Sequence, residues 1–310
     1  MKLNILKQVM MNKVLYSLIP IIIFSIYLFG WRVLTVILFT NIVSYLSEWI
    51  MIRKKPNGKV SMAVFVTGTL LALTLPPSIP FWIAGVGAVV AIIFGKMVFG
   101  GFGANIFNPA IVGRTFIYIS FPQAMTVKWI TPFTSFPGGL VKWGGGINSN
   151  LITSASPMSA ITEGINEPIS NLLLGLIPGS MGETSAILIV LAGIYLVFTK
   201  TAKWQAITSC IISFLIFSFI FNPENAFFSL LSGGILFGSV FMITDPISMS
   251  KTKQGIWIYG VIVGFLTVFI RRFSLFTEGF MFALLLGNTF MPIIDYIITK
   301  ITTKKVKQAA

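Results

Sequence analysis

Four short stretches carry the residue types from which a site could be built. Asn108-Pro109 is followed by Arg114, and Glu183-Thr184-Ser185 by a long apolar run. Thr244-Asp245-Pro246 closes another apolar run, and Thr153-Ser154-Ala155-Ser156 sets three hydroxyls within four residues of a polar segment. Each suits a different chemistry. Asn then Pro reads as a helix cap with Pro at the first helical position. A helix start offers free N–H groups to a phosphate, a carbonyl or an anionic ring edge. The glycines of Gly100-Gly101-Phe102-Gly103 just upstream make this segment too irregular for an ordinary helix. It is either a packing bend or backbone lining a cavity. Arg114 falls about a turn and a half past Pro109 and is expected to face the interior, since a lipid-facing charge is costly. Glu183 beside a helix start is favourable with the dipole, so Glu183, Thr184 and Ser185 read equally as caps or as an anion cradle. Asp245 is a turn cap or an ion-coupling carboxylate. Glu48 and Asp295, near inner helix ends, are expected to snorkel.

Composition limits what these residues can do alone. Of 310 residues, 55% are hydrophobic and 10% charged, against about 25% charged in soluble domains. Mean hydropathy is +0.92. A soluble fold of this size has no interior large enough for that much apolar surface. There is no His, so His-based acid–base catalysis and His-ligated metals are excluded. The single Cys, Cys210, rules out a disulfide framework or a self-contained cluster and reads as a buried small residue. Eight acids supply little for a carboxylate metal cage. The chain either forms a path or holds a group that does the chemistry.

The elements that must position these residues are membrane helices. A span needs about 20 mostly apolar residues. The hydropathy pattern predicts ten of them: 14–30, 33–52, 61–77, 79–97, 107–121, 184–199, 205–222, 227–245, 255–270 and 277–298. The polar stretch 122–183 separates the first five from the second five. The leading residues lack a small-residue cleavage site and do not read as a signal peptide. With the N-terminus inside, the cations of segments 2–13, 53–59, 200–203, 251–253 and 300–307, together with Lys96, all fall on the inner side. Arg32, Lys128, Lys142, Arg271 and Arg272 fall outside. The positive-inside rule then puts both termini in the cytoplasm and 122–183 outside. The +14 charge is topological and implies no nucleic-acid partner.

Two echoes give a repeat. The run 67–77 resembles 232–246, and Asn105-Ile106-Phe107-Asn108-Pro109 resembles Asn288-Thr289-Phe290-Met291-Pro292. Both pairs sit in the third and fifth spans of their halves. Two five-span units of opposite orientation, 1–121 and 184–310, make an inverted repeat, which places sites near the midplane beside broken helices. The expected fold is therefore an all-α polytopic membrane protein of about ten helices.

Taken together, Phe107-Asn108-Pro109-Ala110-Ile111-Val112-Gly113-Arg114-Thr115, Gly182-Glu183-Thr184-Ser185 and Thr244-Asp245-Pro246-Ile247-Ser248 resemble the NqrB/RnfD family over about residues 10–300. These are membrane subunits of the sodium-pumping NADH:quinone reductase and of the Rnf ferredoxin:NAD oxidoreductase complex. The short leading segment looks more like RnfD. The resemblance implies FMN linked by a phosphodiester to a hydroxyl in an outer segment, installed by a flavin transferase. Thr153-Ser154-Ala155-Ser156-Pro157 fits that frame with Ser156 as acceptor, Ser154 where Gly is usual, and Thr153 and Ser154 as fallback acceptors. It further implies a second, non-covalent flavin (riboflavin), and partners that supply iron–sulfur centres, the NAD site and a second covalent FMN.

The expected function is thus a flavoprotein subunit of a translocase in the bacterial inner membrane. It would pass electrons through FMN and couple them to Na⁺ or H⁺ transport, without being catalytic alone. Asn108, Arg114, Glu183, Thr184 and Ser185 are the non-covalent flavin-site candidates, and Asn108, Arg114, Thr244 and Asp245 the residues to test for ion coupling. Two other readings stand beside it: an NqrB-like subunit of the quinone reductase, and a non-redox channel of urea- or ammonium-carrier architecture.

Overall fold

A computed structural model describes residues 5–54, 58–126, 129–144, 168–274, 276 and 278–309, with side chains to residue 303. The described residues are mostly helical. The first half comprises α1 (Val9–Phe29), α2 (Arg32–Ile52), α3 (Ala63–Leu73), α4 (Phe81–Ile92, continued by a π-helical turn Ile93–Met97) and α5 (Pro109–Ser120). Short helices α6 (Pro122–Thr126) and α7 (Ile169–Leu174) follow. The second half comprises α8 (Ala186–Phe198), α9 (Trp204–Phe221), α10 (Ala226–Leu231), α11 (Ile235–Phe241), α12 (Lys253–Phe273) and α13 (Phe280–Ala309). The exception to all-α is a two-residue parallel pairing of β1 (Ile5–Leu6) with β2 (Val60–Ser61).

Each of the ten predicted segments contains helix, but not all are full-length spans. Among the described residues, five helices are long and apolar enough to cross a bilayer: α1, α2, α9, α12 and α13. A sixth arises if α10 and α11, bent by 53° at their junction, count as one. The helices α3, α4 and α8 are apolar but shorter, because Thr74–Pro80, the Gly100–Asn108 loop and the turn before Ala186 take up the remaining length. The two sequence echoes also differ locally. Residues 105–108 are non-helical, whereas Asn288–Pro292 lie inside α13. Three glycines, Gly100, Gly101 and Gly103, fall in the five residues ahead of Asn105, against Gly287 alone ahead of Asn288.

Small residues allow the closest helix contacts, as expected where lipid removes the usual hydrophobic drive between helices. A methyl at Gly264 would sit 2.5 Å from the Cys210 carbonyl, and one at Gly113 would sit 2.6 Å from the Gly87 carbonyl. These positions seat α12 on α9 and α5 on α4. Cys210 is fully buried in this packing, as its apolar setting predicts. A buried hydrogen bond from Tyr259 Oη to Asn288 Oδ1, 2.5 Å, joins α12 to α13. Asp295 ties the loop before α12 to α13 by accepting from Ser250 Oγ (2.6 Å), Thr252 Oγ1 (2.8 Å) and the Lys251 N–H (2.9 Å).

Candidate functional site

The site begins where α4 ends. The chain leaves the π-helical turn through Gly100, Gly101 and Gly103, at φ 118°, 104° and 93°. These are conformations that L side chains rarely adopt, which is why this stretch needs glycine. It then enters α5 at Asn108. The Asn108 Oδ1 accepts from the N–H groups of Ala110 (3.0 Å) and Ile111 (3.3 Å), the cap expected from the Asn-Pro pair. Its Nδ2 reaches across the molecule and donates to the Met242 carbonyl, 3.2 Å away at the end of α11. Two interrupted segments, 134 residues apart in sequence, therefore meet through one side chain.

Beside this junction lies a cavity of about 60 Å³, room for about four to six waters. Its walls are apolar side chains, chiefly of α1, α3 and α8, and its polar groups are Thr67, Lys96, Asn105, Asn108, Thr201, Thr244 and Asp245. Thr244 Oγ1 donates back to the Val240 carbonyl (2.6 Å). Asp245 accepts from Ser248 Oγ (2.8 Å) and the Ile247 N–H (3.3 Å), the bonding of a turn cap, while still lining the cavity.

Lys96 and Glu48 correct the sequence reading. Glu48, expected to snorkel, is instead buried at 2% exposure. Its Oε2 pairs with Lys96 Nζ at 2.5 Å, and its Oε1 accepts from the Ser61 N–H at 3.0 Å. Lys96 Nζ also donates to Ser61 Oγ at 2.5 Å. The physical reason is that β2 and the π-helical turn bring a donor and a cation to Glu48 before it can reach the surface.

A second charged group lies further along α5. Arg114 is buried, as expected, and its guanidinium bonds both Glu183, just before α8, and Glu278, just before α13. Arg271, in the last turn of α12, lines the same small void as both carboxylates. It donates through Nη1 to the Ser229 carbonyl (2.8 Å) and Ser229 Oγ (3.1 Å). Sequence reasoning does not single out Glu278 or Lys96. Their partners lie 164 and 48 residues away, separations that no motif reports.

The remaining candidates separate. Ser185 caps α8, with Oγ 3.5 Å from the Leu188 N–H. Thr184 is buried next to it. The loop aromatics have ordinary settings: Trp129 is buried and donates to the Thr126 carbonyl (2.9 Å), Lys142 Nζ sits 4.7 Å from the Phe133 ring centre, and Phe136 and Trp143 are exposed. Thr153, Ser154 and Ser156 lie outside the described residues.

Comparison with known proteins bears on the whole chain. A family model described as the NQR2, RnfD, RnfE family matches residues 2–304. A membrane protein of Pseudomonas paraeruginosa, the NqrB component of its Na(+)-translocating NADH-quinone reductase, is 34% identical over 258 residues, covering 80% of this chain and 62% of that protein. The equivalent components from Azotobacter vinelandii (34% over 258 residues) and Klebsiella pneumoniae (34% over 264 residues) are covered to the same extent. The chain thus spans about 62% of the length of the curated relatives it matches.

Proposed function

The chain belongs to the NQR2, RnfD, RnfE family, and on that premise we propose that it is a flavin-carrying membrane subunit of a redox-driven cation-translocating complex. It is a multi-pass protein of the bacterial inner membrane. Between the two complexes, the names of its relatives favour a sodium-translocating NADH:quinone reductase over the Rnf-type reading. Its partners are then the other subunits of that complex, with a flavin transferase acting on the outer segment. The two halves, 1–121 and 184–310, act as inverted repeats around the site. In support, α4 packs on α2 and α5 while α12 packs on α9 and α13.

The observation that carries the reading is the cavity between the Gly100–Asn108 loop and the end of α11. At about 60 Å³ it takes a cation with a few waters rather than a whole isoalloxazine ring, and Asn105, Asn108 and Thr244 supply donors and acceptors for that cation or for the polar edge of a flavin seated beside it. A flavin bound beside it would supply electron transfer. The chain's residues set position and charge. Asn108 fixes the loop against α11, Lys96 is a resident cation held by Glu48, and Asp245 offers a carboxylate to a cation entering beside it. Arg114, Glu183 and Thr184 lie further along α5 and ahead of α8. Covalent FMN is assigned to Ser156, with Thr153 and Ser154 as the other acceptors in that segment.

The test uses inverted membrane vesicles holding the complete complex. NADH:quinone electron transfer that drives sodium uptake, and that falls at least tenfold in Asp245→Asn, supports the reading. Ferredoxin-dependent NAD reduction without quinone activity would return the Rnf assignment. Absence of both activities from a complex that has bound no flavin would overturn the redox reading altogether.

A further inference from the structure

A second void, of about 10 Å³, lies one residue further along two elements that border the first. Ala110 and Phe241 line the larger cavity, whereas Ile111 and Met242 line the smaller. The partition between them is the first turn of α5 against the end of α11, closed by the bond from Asn108 Nδ2 to the Met242 carbonyl. The smaller void has room for about one water. Its far side is the quartet of Arg114, Glu183, Arg271 and Glu278. Beyond the quartet come the end of α12, the start of α13 and the approach to α8, on the outer side by the positive-inside count.

The break between α10 and α11 is shaped around this quartet. Gly233 has φ +78°, and a methyl there would lie 3.0 Å from Arg271 Nη2. A methyl at Gly234 would lie 2.6 Å from Glu183 Oε1. The bent pair can close over the charges only because these two positions carry no side chain. The quartet is electrically balanced, yet it is not fully bonded. Arg114 Nε, Arg271 Nε and Arg271 Nη2 have no acceptor among the described residues. A static brace in an apolar interior would be expected to satisfy its donors. Here Arg271 lines the same void as both carboxylates with Nη2 unengaged, so it can take a carboxylate that Arg114 releases. Two arrangements of one set of charges are what a two-state element requires.

We propose that the Arg114–Glu183–Arg271–Glu278 quartet, seated in the glycine break between α10 and α11, is the outer gate of a path that starts in the larger cavity. In this structure the gate is closed. It opens when the α10–α11 pair swings about residues 232–234 and the carboxylates pass from Arg114 to Arg271. The proposal rests on the preceding functional reading only for the identity of the cargo, a cation.

The test is accessibility of single cysteines in vesicles of both orientations that contain the full chain with its partner subunits. The native Cys210 is buried, so labelling reports the introduced thiol. Ile111→Cys probes the small void, and Thr67→Cys, lining the larger cavity, serves as the inner control. A membrane-impermeant cationic methanethiosulfonate applied at the outer face is expected to label Ile111→Cys slowly. Adding Glu278→Gln should accelerate that labelling at least tenfold while leaving Thr67→Cys unchanged. Gly234→Ala, which displaces Glu183, should do the same and covers the case in which Glu278→Gln does not accumulate. Fast outer labelling of Ile111→Cys alone overturns the gate. So do rates that neither added substitution changes, the result expected of a brace. The readout does not depend on flavin, so loss of the redox reading would leave it standing.

Discussion

Lys96–Glu48 and the Arg114 quartet are both charges buried among apolar helices, and they solve that problem in opposite ways. The Lys96 pair is local. Its members come from α2, β2 and the end of α4, all within the first half, and three short bonds at 2.5, 2.5 and 3.0 Å engage its ammonium and both carboxylate oxygens. The quartet draws on α5, the approach to α8, the end of α12 and the turn before α13, and leaves three donor atoms without acceptors among the described residues. A complete local pair holds a fold in one arrangement. An incomplete one spanning both halves retains a choice of partners. The first is therefore structural support for the cavity, and the second is the part proposed to move.

Substitutions of graded effect separate the two clusters. The largest is expected from Glu48→Ala, which strands the Lys96 ammonium in an apolar interior at a cost of about 3–5 kcal/mol. Thermal unfolding of the detergent-purified complex should show it, and Glu48→Gln combined with Lys96→Met should recover most of the loss. A double variant as unstable as the single would mean that the pair is not the unit described. Arg114→Ala is expected near the lower end of that range, about 3 kcal/mol, because Arg271 can take over a carboxylate. Its transport rate should fall more than its melting temperature implies, and a melting loss beyond that of Glu48→Ala would reverse the ranking of the two clusters. Asn108→Ala removes the α5 cap and the link to Met242, at about 1 kcal/mol or somewhat more by unfolding. Asn108→Ser keeps a cap acceptor without adding charge and loses the donor that reaches α11, so it should fall between wild type and Ala. Ser185→Ala should be smallest, about 0.5 kcal/mol, since its cap contact is long at 3.5 Å. A larger effect on flavin retention than on stability would move Ser185 from cap to binding residue.

What can be read from the sequence follows the range over which each signal acts. Apolar periodicity is local, and helix lies in every segment it predicts. Asn108 before Pro109 announces a cap, whereas Ser232-Gly233-Gly234, legible only as an echo of 67–77 within one span, turns out to be the 53° bend. Arg114 faces inward because one charge in an apolar run has no other tolerable direction. Its partners are not legible, since Glu183 and Glu278 lie 69 and 164 residues away. Arg271 passes for a loop cation because hydropathy ends the predicted span at residue 270, and Lys96, at the end of the predicted 79–97, counts only as an inner-side cation. A buried cation with a buried acceptor extends the span past it. Glu48 misleads for the same reason: snorkelling presumes that the nearest partner is water, and here it is Ser61 and Lys96. The lengths of α3, α4 and α8 are overestimated because hydropathy does not separate apolar loop from apolar helix.

The redox reading stands on a flavin carried by this chain, and in-gel fluorescence after denaturing electrophoresis addresses that most directly. The full chain is produced with and without a flavin transferase, beside Ser156→Ala. The expected result is a fluorescent band that survives SDS only with the transferase and disappears in Ser156→Ala. Fluorescence that persists in Ser156→Ala would shift the acceptor to Thr153 or Ser154, and a wild-type band that stays dark with the transferase present would contradict a covalent flavin.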